Sequence, residues 1–169
     1  TIRSAHNVGS IFRSCDAFLI DEIILCGITA KPPNKEIRKT ALGSTDSVKW
    51  SYFENIKDAI LKLKQEKYQI ISVEQADKST DLKNFKIQSK KKYAIIFGNE
   101  INGVNQKVID MSDDVVEIPQ FGTKHSFNVS VSVGIVIWDF FTKIKTNWFH
   151  LWWINNPIYF LQNPFQIHL

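Results

Sequence analysis

The chain has 169 residues, of which 44% are hydrophobic and 22% charged. That is enough apolar material for one domain with a proper core, and it excludes a wholly disordered chain. The formal net charge is +4 and the pI about 9.0, which suits a polyanionic partner without establishing one. No uninterrupted apolar stretch is long enough to span a membrane, and residues 1–12 carry no secretory apolar region. The two cysteines, Cys15 and Cys26, lie in apolar surroundings and read as small core residues of a reducing compartment. No Cys/His spacing suits zinc. A cytoplasmic protein with no membrane and no metal is the expectation.

Segment 4–18 reads as a helix with Val8, Ile11, Phe12 and Cys15 on one face. Residues 23–26 (IILC) form a short apolar strand. Residues 29–45, with Pro32-Pro33 and the cations Lys31, Lys35, Arg38 and Lys39, read as a polar loop. A strand over 48–53 is followed by Asn55, an N-cap for a helix to residue 67, with Ile56, Ala59, Ile60 and Leu63 at helical spacing. Then come a strand at 69–74, one helical turn at 81–85, and a strongly apolar strand at 93–97 (YAIIF) that Gly98 ends. A short helix at 104–111, a strand at 115–118 and a last helix at 126–145 complete the series. Continuous apolar strands alternating with helices predict an α/β fold, a mostly parallel sheet flanked by helices. In such sheets ligands bind beyond the carboxyl ends of the strands.

The two ends depart from this pattern. The chain opens directly on a helix where an α/β domain normally has a strand, so a missing first strand is expected, with an exposed edge or a gap in the sheet. Residues 147–169 contain no Lys, Arg, Asp or Glu, are rich in aromatics and are broken by Pro157 and Pro164. They read as an atypical extension beyond a domain of residues 1–146. A membrane-surface or interaction segment is the alternative, although the basic face usual in such segments is lacking.

Three segments carry chemistry. The first is Asn7-Val8-Gly9-Ser10-Ile11-Phe12-Arg13 on the first helix. A glycine inside a helix costs up to about 1 kcal/mol relative to alanine, so Gly9 marks a close approach. The second, Gly98-Asn99-Glu100-Ile101-Asn102-Gly103, takes a buried strand into a loop with two glycines and one carboxylate. It is neither a dinucleotide fingerprint nor a P-loop. The third runs from Ile118-Pro119 through Gly122 to Ser126-Phe127-Asn128-Val129-Ser130. A strand that breaks into a glycine loop and enters a helix through Ser and Asn presents backbone N–H groups to a ligand.

In this order and at these separations, the three segments resemble motifs 1, 2 and 3 of the SpoU (TrmH) RNA methyltransferases of the SPOUT class. The similarity covers residues 2–145 and includes the run KTALG at 39–43. The resemblance implies a deep trefoil knot in the C-terminal part of the domain, an exception to the rule against knots. It implies S-adenosylmethionine as cofactor, with Gly98, Gly103, Ile118, Phe127 and Asn128 at the matching positions; the family usually has Leu where Phe127 stands. It further implies a homodimer with an active site shared across the interface, and methylation of a ribose 2′-hydroxyl in tRNA or rRNA. Arg13 matches the family's essential Arg, and Asn7, Glu100, Ser126 and Asn128 match the other polar motif positions.

A guanidinium is effectively always protonated, so Arg13 suits phosphate binding and stabilisation of a developing alkoxide better than general-base work. Glu100 suits tying the motif loops together or holding the partner's Arg. Lys31, Lys35, Arg38 and Lys39 are candidates to follow RNA backbone beside Arg13, and Lys90-Lys91-Lys92 is either a second such patch or a solvated surface. Three readings compete: a SPOUT enzyme acting on a base, which would not need the Asn7/Arg13 pair; a non-catalytic RNA-binding relative; and a generic Rossmann-like nucleotide binder, which the missing fingerprint disfavours.

Overall fold

The computed structural model describes residues 2–88, 90–99, 101–123, 126–152 and 165–168, with 145–152 and 165–168 described as backbone alone. Seven strands form one sheet in the order β2-β1-β7-β5-β3-β6-β4, every pair parallel. The strands are β1 Glu22–Cys26, β2 Lys49–Phe53, β3 Tyr68–Val73, β4 Thr80–Asp81, β5 Lys92–Phe97, β6 Asp114–Glu117 and β7 Phe165–His168. The helices are α1 Ala5–Ala17, α2 Lys35–Ala41, α3 Ser44–Ser47, α4 Ile56–Gln65, α5 Gln106–Ile109 and α6 Val129–Trp152.

The period of two along each strand divides the core between the two faces. Ile23 and Leu25 of β1, Ile71 of β3 and Tyr93, Ile95 and Phe97 of β5 pack with α1, α2 and α6. Their neighbours Ile24, Cys26, Ile70, Ala94 and Ile96 pack with Ala59, Ile60 and Leu63 of α4 and Val108 of α5. A sheet covered on both faces is why these strands read as continuous apolar runs. Asn55 caps α4, its side chain accepting from the Lys57 N–H.

Three expectations change. The loop expected at 29–45 folds into α2 and α3, because Asn34 supplies an N-cap oxygen to Glu36 and Ile37 and only Ile37 and Ala41 need burial on so short a helix. The last helix starts at Val129 rather than at Ser126, since Asn128 accepts from the Ser130 N–H at 2.9 Å and serves as the cap. It continues past residue 146 to Trp152. Within 147–169, Phe165–His168 lies in the sheet as β7, hydrogen-bonded between β1 and β5, so a strand stands where a gap was expected. Among the described residues no helix is long and apolar enough to cross a membrane.

Candidate active site at the carboxyl ends of the central strands

Because β5, β3 and β6 are adjacent and parallel, their carboxyl ends open on the same side. A cavity of about 380 Å³ lies there. Its walls are Val73 and Glu74 at the end of β3, Phe97, Gly98 and Asn99 with Ile101, Asn102 and Gly103 at the end of β5, Glu117, Ile118 and Gln120 at the end of β6, and Ser126, Phe127, Val129 and Ser132 at the entry to α6. Of the residues singled out in the sequence, Gly98, Gly103, Ile118, Phe127 and Ser126 line this cavity. Glu100, Lys124 and His125 lie outside the described residues.

The second motif loop is closed on itself. Asn99 and Gly103 exchange two backbone hydrogen bonds, of 3.2 and 3.0 Å. Asn99 Oδ1 also accepts from the N–H groups of Ile101 and Asn102, at 2.9 and 2.7 Å. The turn lies so flat on Gly98 that a Cβ there would stand 2.0 Å from the Gly103 carbonyl carbon. Gly103 itself has φ +61°, a conformation glycine adopts without strain. Glycine at both positions is thus dictated by the backbone path.

Asn128 joins the first and third motifs. Its Nδ2 donates to Asn7 Oδ1 at 3.1 Å, across 121 residues of sequence, while its Oδ1 accepts from Ser130 N and Oγ. Neither Asn7 nor Asn128 lines the cavity, although Asn128 lies between Phe127 and Val129, which do. The close approach read at Gly9 is made by α2: a Cβ on Gly9 would meet Thr40 Oγ1 at 2.1 Å and the Ile37 carbonyl oxygen at 2.3 Å. Thr40 Oγ1 also donates to the His6 carbonyl at 2.9 Å.

Arg13 is exposed and does not line the cavity. Six helical residues turn through about 600°, so Asn7 and Arg13 leave α1 about 120° apart. One chain does not bring Arg13 to the cavity lining. Lys35, Arg38 and Lys39 share one exposed face of α2, with Pro33 and Asn34 completing a shallow groove. Lys39 binds Glu36 at 2.8 Å, and His6 contacts the same carboxylate. These two hydrogen bonds, Lys39's first, hold the Glu36 carboxyl below the usual range. Lys31 stands over the Tyr52 ring, 3.7 Å from its centroid. Lys92 opens β5, so it lies about 17 Å along the strand from the cavity end. That position makes the 90–92 run a remote surface.

Sequence reasoning missed Glu74 and Glu117, the two acidic side chains described in the cavity wall. Each follows or ends an apolar strand, and that strand-end position was the available signal. Among the described residues no group of three or more His, Cys, Asp or Glu comes together as for a metal ion.

The fold and the cavity define a parallel α/β protein with a cavity beyond the carboxyl ends of its central strands, the place where such sheets bind ligands. Residues 1–138 match the SpoU rRNA Methylase family, and the chain belongs to it. It is 34% identical over 138 residues to an "uncharacterized tRNA/rRNA methyltransferase" of Borreliella burgdorferi, covering 82% of this chain and 59% of that one. It is 35% identical over 104 residues to the tRNA (guanosine(18)-2′-O)-methyltransferase of the same organism, covering 62% and 47% respectively. The chain therefore spans about half of the length of these relatives. A solved AdoMet-bound rRNA methyltransferase from Sinorhizobium meliloti matches with TM-score 0.76 at 26% identity, over 82% of this chain and 52% of that one.

Proposed function

We propose that residues 1–146 form the catalytic domain of a methyltransferase that moves a methyl group from S-adenosylmethionine to a ribose 2′-hydroxyl of tRNA or rRNA in the cytoplasm. The observation that carries this reading is the cavity itself: residues of the second and third motifs converge on it from the ends of β5 and β6, which flank β3, and Asn128, between the lining residues Phe127 and Val129, bonds Asn7 of the first motif. Its donor set suits the cofactor. Phe97, Ile101, Ile118, Phe127 and Val129 offer apolar surface for a purine and a thioether arm, and the motif loops bring backbone polar groups to the same wall. A volume of about 380 Å³ falls in the range of small-molecule sites.

Gly98, Gly103, Ile118 and Phe127 would hold the cofactor, with Asn128 setting the entry of α6. When bound, it supplies an electrophilic methyl group on a sulfonium. Arg13 grips the RNA phosphate bidentately and holds positive charge near the ribose oxygen as its proton leaves. That proton leaves through phosphate, water or the pair Ser126 and Asn128, of which Ser126 lines the cavity. Lys31, Lys35 and Arg38 follow the RNA backbone, with Lys39 shared with Glu36. Routing the chain through a trefoil knot would bring the second and third motif loops together, as the family resemblance implies.

The protein works as a homodimer in this reading. Val131, Ile135 and Trp138 form an exposed apolar stripe along α6, with Trp138 54% exposed and its ring within 5.6 Å of Phe18 at the end of α1. Such a stripe calls for a covering partner. A second copy seated there would bring Arg13 from one chain to the cavity of the other.

The test is complementation. Arg13→Ala should bind the cofactor within about twofold of wild type and lose methyl transfer. Gly98→Ala should lose cofactor binding, since its Cβ meets backbone at 2.0 Å. Mixed and reassociated, the two inactive variants should regain up to about a quarter of wild-type activity. Inactivity of the mixture, with heterodimers present, would refute the shared site.

A further inference from the structure

We infer that Glu74 is a positioning residue that latches the 98–104 loop from the neighbouring strand and so sets the shape of the cavity; this rests on the cavity being the cofactor site. Glu74 follows the last residue of β3, and its backbone N–H still donates to the Val116 carbonyl at 3.0 Å, so its root is fixed by β6. Its Oε2 accepts the Val104 N–H at 2.6 Å, a bond from β3 to the loop that leaves β5. Its Oε1 accepts the Gln75 N–H at 3.0 Å, which fixes the carboxylate's orientation. Hydrogen bonds from N–H to an ionised carboxylate are the shorter and stronger kind.

The loop carries the complement. Gly103 has φ +61°, and a Cβ there would stand 2.1 Å from Glu74 Oε2 and 2.9 Å from its Cδ. The missing side chain is what admits the carboxylate. The bonds made by Asn99 close the turn on itself, whereas the Glu74 bond ties it to the neighbouring strand. Glu74, Gly98, Ile101, Asn102 and Gly103 all line the cavity, so where this loop sits decides what the cavity fits.

The test separates reach from charge. Glu74→Gln keeps one acceptor oxygen at the same reach for the Val104 N–H and gives up the Gln75 bond, since an amide NH2 cannot accept; Glu74→Asp keeps the charge but withdraws both oxygens by one methylene. Calorimetric titration should show Glu74→Gln within about threefold of wild type for S-adenosylmethionine and Glu74→Asp weaker by about tenfold. In both, kcat at saturating cofactor should stay within about twofold. In the cofactor-free protein, hydrogen exchange at the Val104 amide should accelerate in Glu74→Asp and not in Glu74→Gln. Wild-type affinity and exchange in Glu74→Asp would overturn the latch, as would the reverse order of the two variants, which would mean that the charge acts on the ligand. Wild-type protein that binds no cofactor, or binds it undiminished in Gly98→Ala, would instead overturn the site reading on which the latch depends.

Discussion

The Asn128 amide is engaged at both ends, its oxygen capping α6 through Ser130 and its nitrogen donating to Asn7. The two roles separate by mutation. Asn128→Ala removes both and should lower stability by about 1 kcal/mol, the usual cost of a lost N-cap. Asn128→Ser retains a cap oxygen but is too short for Asn7; it should restore the unfolding midpoint while methyl transfer stays at least about tenfold down. Recovery of both in the Ser variant would reduce Asn128 to a cap. Much at this scale was legible in the sequence. A glycine inside a helix forecast a close approach at Gly9, which α2 makes, and the strand at 93–97 was read to run into a loop at its first glycine, as it does. The placing of Arg13 away from the cavity was not legible, because spacing along one helix does not say which way that helix faces in the fold. The Glu74 contact crosses 30 residues, and strand pairing rather than local pattern creates it.

At the scale of elements, α2 has one wall and one field. Ile37 and Ala41 are buried against α1, while Lys35, Arg38 and Lys39 face outward at i, i+3 and i+4. The proposal assigns that field to RNA phosphate. Lys35→Glu with Arg38→Glu should weaken RNA binding at least about tenfold at low salt and flatten its salt dependence by about two counterions. Cofactor affinity and thermal stability should not change, because neither side chain touches the core. Filter binding across a salt series checks this; an unaltered slope would remove α2 from the interface. Long apolar runs such as β5 were readable because burial on both sheet faces leaves no polar alternation. The α2–α3 region was misread as a loop because a seven-residue helix with two buried residues has too little periodicity to register. The strand β7 was missed for a related reason: four residues after Pro164 carry little local signal, and their place between β1 and β5 is a long-range property.

For the whole molecule, the parallel sheet holds its titratable core groups in their neutral forms. Burial pushes the Cys26 thiol up to about 11 and raises Cys15 well above its ordinary value. Burial likewise raises Tyr93. These groups keep their protons in the native state at a pH where the unfolded chain, with thiols near about 8.5, begins to lose them. The unfolded state then binds fewer protons, so stability falls as pH rises. Denaturant unfolding should give a constant free energy from about pH 7 to about pH 8.5 and a progressive loss from there toward about pH 11. A flat profile across that window would mean that water reaches the thiols and the phenol.

Transfer of radiolabelled methyl from S-adenosylmethionine to unmodified tRNA and, separately, to rRNA, followed by nucleoside analysis, tests the proposed reaction. That reaction puts label in a 2′-O-methylated nucleoside from one of the two pools, and none with Arg13→Ala. Label on a base, or no label in either pool from a protein that binds the cofactor, would contradict it.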